Sequence, residues 1–143
     1  MPLFVLSPAS LVHSAAFAGF YTYLSLNVVA ARKKYGETKP GIPENNETVK
    51  NIIRVQSNFA EYTPFVFSLI FLAELNGAPT KFVHAAYASL FVFRVLHSLG
   101  MVCTKLKLGR AIGFVGTVLL MVGTGLYNFG LGYEPLLSFL GVN

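Results

Sequence analysis

Four long apolar runs separated by short polar breaks make up most of the sequence. The first extends from about Ser10 to Ala31 and contains small residues (Ala15, Ala16, Ala18, Gly19) that permit close helix contact. The second runs from about Val49 to Leu75, and the third from about Thr80 to Cys103. The fourth, Arg110 to Gly130, is rich in Gly, Val and Leu. Each is near the roughly 20 residues needed to cross a bilayer as a helix. None shows the two-residue alternation of a barrel strand, and all are too long for one. Backbone amides in lipid must be satisfied within their own element, which leaves helices. Between the second and third runs, Asn76-Gly77-Ala78-Pro79 reads as a turn with Pro at the start of the next helix. The pattern predicts an all-α fold, a four-helix integral membrane bundle. One domain covers residues 1–143, with helices at about 10–31, 49–75, 80–103 and 110–130.

Composition agrees with lipid as the solvent. Of 143 residues, 54% are hydrophobic and 12% charged, against about 25% charged in a soluble domain. The formal net charge of +5 could suggest nucleic acid. The basic residues instead gather where apolar runs end: Arg32, Lys33 and Lys34 after the first, Lys105, Lys107 and Arg110 before the fourth. That distribution excludes a nucleic-acid partner and predicts cytoplasmic loops at 32–48 and 104–109, with both termini lumenal or external. Asn46-Glu47-Thr48 has the form of a glycosylation sequon, which this topology hides from the glycosylation machinery. The N-terminal stretch lacks a basic region before its apolar run, so the first helix is expected to be retained. Cys103 is a lone cysteine, and no Cys/His spacing suggests a metal.

The candidate chemistry lies in the second run. At 100° per residue, Arg54, Asn58 and Glu61 share one helix face just before the apolar stretch that follows Phe65. Ionisable groups at membrane depth are costly and call for partners or a polar ligand. Arg94, well inside the third run, is expected to pair with Glu61 or Glu74, while Glu74 could alternatively reach water. His97 and Met101 continue the Arg94 face. Lys33 and Lys34 read as interfacial anchors. Arg32, Arg54 and Arg110 fall near the same membrane face, and several guanidiniums there suit a small anionic ligand beside a lipophilic reactant.

The motif Arg54-x-x-x-Asn58-x-x-Glu61-Tyr62-x-Pro64 resembles the second-helix motif of the membrane-associated proteins in eicosanoid and glutathione metabolism, the MAPEG family. Arg94-Val95-Leu96-His97 is similar to the third-helix motif of the prostaglandin E synthase branch, and Arg110 stands at that branch's spacing for its catalytic arginine. The resemblance implies a homotrimer with glutathione bound between neighbouring subunits. Arg54, Asn58 and Glu61 would contact glutathione, with Arg32 approaching from an adjoining first helix. Gln56 matches a contact position of the leukotriene synthase branch, although it points away from the Arg54 face on an ideal helix. His97 would belong to the site wall, and Arg110 would stabilise the thiolate. Met101, Ala111 and Phe114 depart from the prostaglandin branch, which has Tyr, Ser and Tyr there, and so remove three hydroxyl donors. The activity implied is that of a membrane glutathione transferase or peroxidase acting on lipophilic electrophiles or lipid hydroperoxides. The alternative is a non-catalytic lipid-binding or scaffold protein of the same family.

Overall fold

The computed structural model describes residues 6–35, 46–103 and 106–142. Four helices make up the bundle: α1 (Pro8–Lys34), α2 (Glu47–Leu75), α3 (Thr80–Val102) and α4 (Lys107–Phe139). Among the described residues there is no strand. Most of the two basic connections, 36–45 and 104–105, lies outside the described residues.

Local chemistry sets the helix ends. Pro8 occupies the first turn of α1, where its missing N–H costs nothing. Asn46 caps α2 through its side-chain oxygen, which accepts from the amides of Thr48 (2.9 Å) and Val49 (3.4 Å). The Asn76-Gly77 turn is a Schellman motif. Gly77 takes φ +85°, its amide reaches the Glu74 carbonyl, and the Ala78 amide reaches that of Ala73. α4 starts before Arg110 and continues past Gly130 to Phe139, through Pro135. Its 33 residues span about 50 Å, well beyond the hydrocarbon thickness of about 30 Å.

α1, α3 and α4 are each long and apolar enough to cross a membrane. α2 has the length, at 29 residues, but carries Arg54, Glu61 and Glu74 among its apolar positions. Its buried stripe (Val55, Phe59, Val66, Ile70, Ala73) faces the bundle. Phe17 of α1 packs edge-on against Phe67 of α2 and Phe91 of α3, with centroids 5.4 Å apart in both pairs.

α3 and α4 form the most extensive helix pair, and glycine makes it possible. A Cβ on Gly113 would lie 2.3 Å from the Phe93 carbonyl oxygen and 2.6 Å from the His97 amide. One on Gly100 would lie 2.2 Å from the Arg110 amide. Here the two backbones touch, as small-residue helix pairs in membranes allow.

The structure corrects the expected role of Glu74. Rather than meeting Arg94 or reaching bulk water, its carboxylate accepts from the amides of Ala9 (2.8 Å) and Ser10 (2.9 Å) and from the Ser10 hydroxyl. It therefore caps α1 from the end of α2, placing a negative charge on a helix N-terminus. Ser10 passes the chain of hydrogen bonds on to the buried Tyr87 hydroxyl, 2.7 Å away, so Tyr87 does more than pack. Glu74→Ala orphans two amides at once. It should destabilise the bundle by about 3 kcal/mol, seen as a lower unfolding midpoint in detergent, and Glu74→Gln should lose less.

Candidate functional site

Near the basic end of the bundle, α2, α3 and α4 converge on a polar cluster. Arg94 is completely buried. Its Nη2 donates to Asn58 Oδ1 at 2.7 Å, and its guanidinium lies 5.5 Å from the Tyr62 ring centroid. The expected ion pair with Glu61 or Glu74 is absent: Arg94 is held by an amide and an aromatic face. Its Nε and Nη1 have no hydrogen-bond partner among the described residues.

One turn further along α3, the His97 ring lies with Nδ1 2.9 Å from the Arg110 carbonyl. A carbonyl only accepts, so Nδ1 carries the proton and donates. In the neutral ring Nε2 is then an acceptor, buried without a partner among the described residues. This bond ties α3 to the first turn of α4, and it forms because Gly100 and Gly113 bring the two backbones together.

Beside it opens a cavity of about 340 Å³ lined by Asn58, His97, Met101, Lys107, Arg110, Ala111 and Phe114. Two cations and two hydrogen-bonding side chains share this wall with a thioether, a methyl and a phenyl group. The chemistry is that of an anion-binding pocket with an apolar side. Larger hollows exist, including one of about 520 Å³ between α1 and α2 lined by residues such as Phe17, Tyr21 and Pro64. Thr63 and Ser68 are its main polar lining besides the Tyr21 hydroxyl, and it holds no cation.

The sequence-predicted residues divide between two faces. Asn58, His97 and Arg110 come together at the cavity, while Arg32, Arg54, Gln56 and Glu61 do not line it. Arg54 and Glu61 are exposed and make no hydrogen bond or ion pair among the described residues. Gln56 faces α1, its Nε2 donating to the Tyr21 hydroxyl at 2.9 Å. Arg32 is exposed in the last turn of α1. Sequence reasoning missed Lys107 in the wall and Tyr62 against Arg94. The i, i+4 relation of Asn58 to Tyr62 was the available signal for the second.

Fold and cavity together define a small helical membrane protein with a cationic, half-apolar pocket near one end of its bundle. The model of the MAPEG family matches residues 10–130. An uncharacterized protein of Synechocystis sp. is 30% identical over 106 residues, covering 72% of this chain and 75% of that relative. The chain belongs to the MAPEG family, and it is a membrane protein of the glutathione and eicosanoid metabolism type.

Proposed function

We propose that this protein is a homotrimeric membrane glutathione transferase, acting on lipophilic electrophiles and on lipid hydroperoxides that arrive through the bilayer. The observation that carries the reading is the cavity in which Arg110, Lys107, Asn58 and His97 stand together beside an apolar wall. Glutathione brings carboxylates for the guanidiniums and a thiol to be ionised. Its cysteine-type thiol has a pKa of about 8.5, and the thiolate is the nucleophile. Arg110 stabilises that thiolate, and Arg54 and Glu61 bind the peptide at the rim.

The division of the candidate residues supports assembly. Arg32 and Gln56 lie toward α1, away from the cavity formed by α2, α3 and α4, so one subunit cannot present both sets to a single ligand. A neighbouring copy supplies the missing half and gives Arg54 and Glu61 partners that burial would demand. Native mass measurement in mild detergent should return a trimer, and a purely monomeric species would remove this closure.

The test of the whole reading is direct. Purified protein should show a rise in thiolate absorbance on titration with glutathione, and should conjugate an activated chloronitrobenzene. Arg54→Ala should weaken binding by about 10- to 100-fold, since a charge-assisted contact to carboxylate is worth about 1.5–3 kcal/mol. The apolar lining by Met101, Ala111 and Phe114 favours a second reading, lipid binding without glutathione chemistry. Absence of glutathione binding at millimolar concentration would establish that second reading at the expense of the first. The orientation follows from the basic ends: the segments 32–48 and 104–109, helix ends included, face the cytoplasm. Attachment of glycan to Asn46 in a eukaryotic host would reverse it.

A further inference from the structure

The buried guanidinium of Arg94 has two neighbours on α2, one turn apart, and it meets each in a different way. Its Nη2 donates to Asn58 Oδ1 at 2.7 Å, and its charge lies 5.5 Å over the Tyr62 ring. Its backbone is pinned by Ser98, whose hydroxyl donates to the Arg94 carbonyl at 2.8 Å. Tyr62 in turn meets Phe114 of the cavity wall edge-on, with centroids 5.8 Å apart. Arg94 itself does not line the cavity and stands one layer behind it. The proposed chemistry makes no use of it.

Arginine has donors and no acceptor, so the Asn58 atom that faces it has to be the oxygen. The amide is therefore held in one of its two orientations, with the nitrogen on the other side. Asn58 Nδ2 makes no hydrogen bond among the described residues and is not buried, and its side chain lines the cavity. The other polar side chains of that wall agree in sense. Lys107 and Arg110 can only donate. His97 has spent Nδ1 on the Arg110 carbonyl, and its Nε2 is buried. No aspartate or glutamate lines the cavity. We propose that Arg94 is a positioning residue: from behind the wall it holds the Asn58 amide with its NH2 turned into the cavity, so that the inner wall offers hydrogen-bond donors only and takes the acceptor-only, carboxylate part of the ligand. This inference rests on the glutathione reading. It assigns the inner wall to one of the peptide's carboxylates and leaves its ammonium no place there.

The test is a ladder at one position, read as glutathione affinity of the full-length protein in detergent by titration calorimetry, with the unfolding midpoint measured alongside. Arg94→Lys keeps charge and donor, Arg94→Gln keeps a donor without charge, and Arg94→Met keeps neither. None of the three buries a new unpaired charge. Positioning predicts that Arg94→Lys and Arg94→Gln bind within about threefold of wild type, and Arg94→Met about five- to tenfold more weakly, the scale of one net hydrogen bond. A role through charge alone would put Arg94→Gln down with Arg94→Met. A merely structural role would move the midpoints and leave the affinities equal. Either result overturns the proposal. Asn58→Asp checks the other half. Its carboxylate still accepts from Arg94, so the midpoint should hold, but an anionic oxygen replaces the donor and binding should fall by about tenfold or more. Unchanged or tighter binding in Asn58→Asp would overturn the donor wall. Wild-type protein that binds no glutathione at millimolar concentration removes the glutathione reading and this inference with it. Wild-type binding with the ladder in the wrong order removes this inference alone.

Discussion

Arg110→Ala should cut conjugation about 100-fold while glutathione binding stays within a few-fold of wild type. Raising the thiolate fraction means lowering a thiol pKa from about 8.5 by roughly 2 units, a differential interaction of about 2.7 kcal/mol. One partly desolvated cation close to sulfur supplies that much. The Arg110 backbone is fixed twice, by the first turn of α4 and by the His97 ring on its carbonyl, which suits this residue to the proposed task. The proposed binding contacts lie elsewhere, at Asn58 and at the α2 rim, so affinity should be largely spared. Absorbance titration should show the bound thiol ionising at higher pH in the variant. Arg110→Lys restores charge without the planar fork, and partial recovery is expected. Full activity in Arg110→Ala would reduce this residue to a cationic flank of α4.

The second large effect is structural. Gly113→Ala adds one methyl group, yet that methyl would stand 2.3 Å from the Phe93 carbonyl oxygen and 2.6 Å from the His97 amide. Both obstacles are backbone, so no rotamer change relieves them and the helices have to part. A cost of about 3 kcal/mol or more is expected, together with loss of the His97–Arg110 bond and, with Arg110 displaced, of conjugation. Gly123 is the internal comparison: a Cβ there meets nothing within 4 Å. Gly123→Ala should therefore be neutral, or stabilising by up to about 1 kcal/mol. Equal unfolding midpoints for the two variants would show that the α3–α4 contact is loose.

The helices were legible because lipid imposes a length and an apolarity that few other contexts do. α2 and α3 end within a residue or two of expectation, set by the Asn-Gly turn and by the change to basic residues. α4 overran its predicted ends of 110 and 130, starting at Lys107 and running through Gly130 and Pro135 to Phe139. The site was legible as a list of residue types and not as a constellation. Gln56, matched by resemblance to a glutathione contact, donates in the structure to the Tyr21 hydroxyl of α1. Arg94 was given the wrong partner. Glu74 closes α2 beside the start of α3, whereas Arg94 lies 14 residues beyond Thr80, about 21 Å along the helix. Counting residues would have removed Glu74 from consideration. The glycine contacts were hidden because Gly100, Gly113 and Gly116 look the same in sequence as Gly123 and Gly130. Only what faces them tells them apart: backbone at Gly100 and Gly113, the Phe93 ring at Gly116.

The burial of Arg94 also bears on how the chain enters its membrane. α3 is apolar enough to cross, yet an arginine near mid-helix costs about 2.5–3.5 kcal/mol when a helix partitions from the translocon alone. Asn58 and Tyr62 offset that cost, and both belong to α2, which is synthesised first. α2 in turn carries Arg54 and Glu61 and gains from a companion. Insertion of the two helices as a hairpin, with the Arg94–Asn58 bond made before release into lipid, is the expected route. Replacing Asn58 with leucine should show first as chains arrested or degraded during insertion, before any purified protein is available to assay.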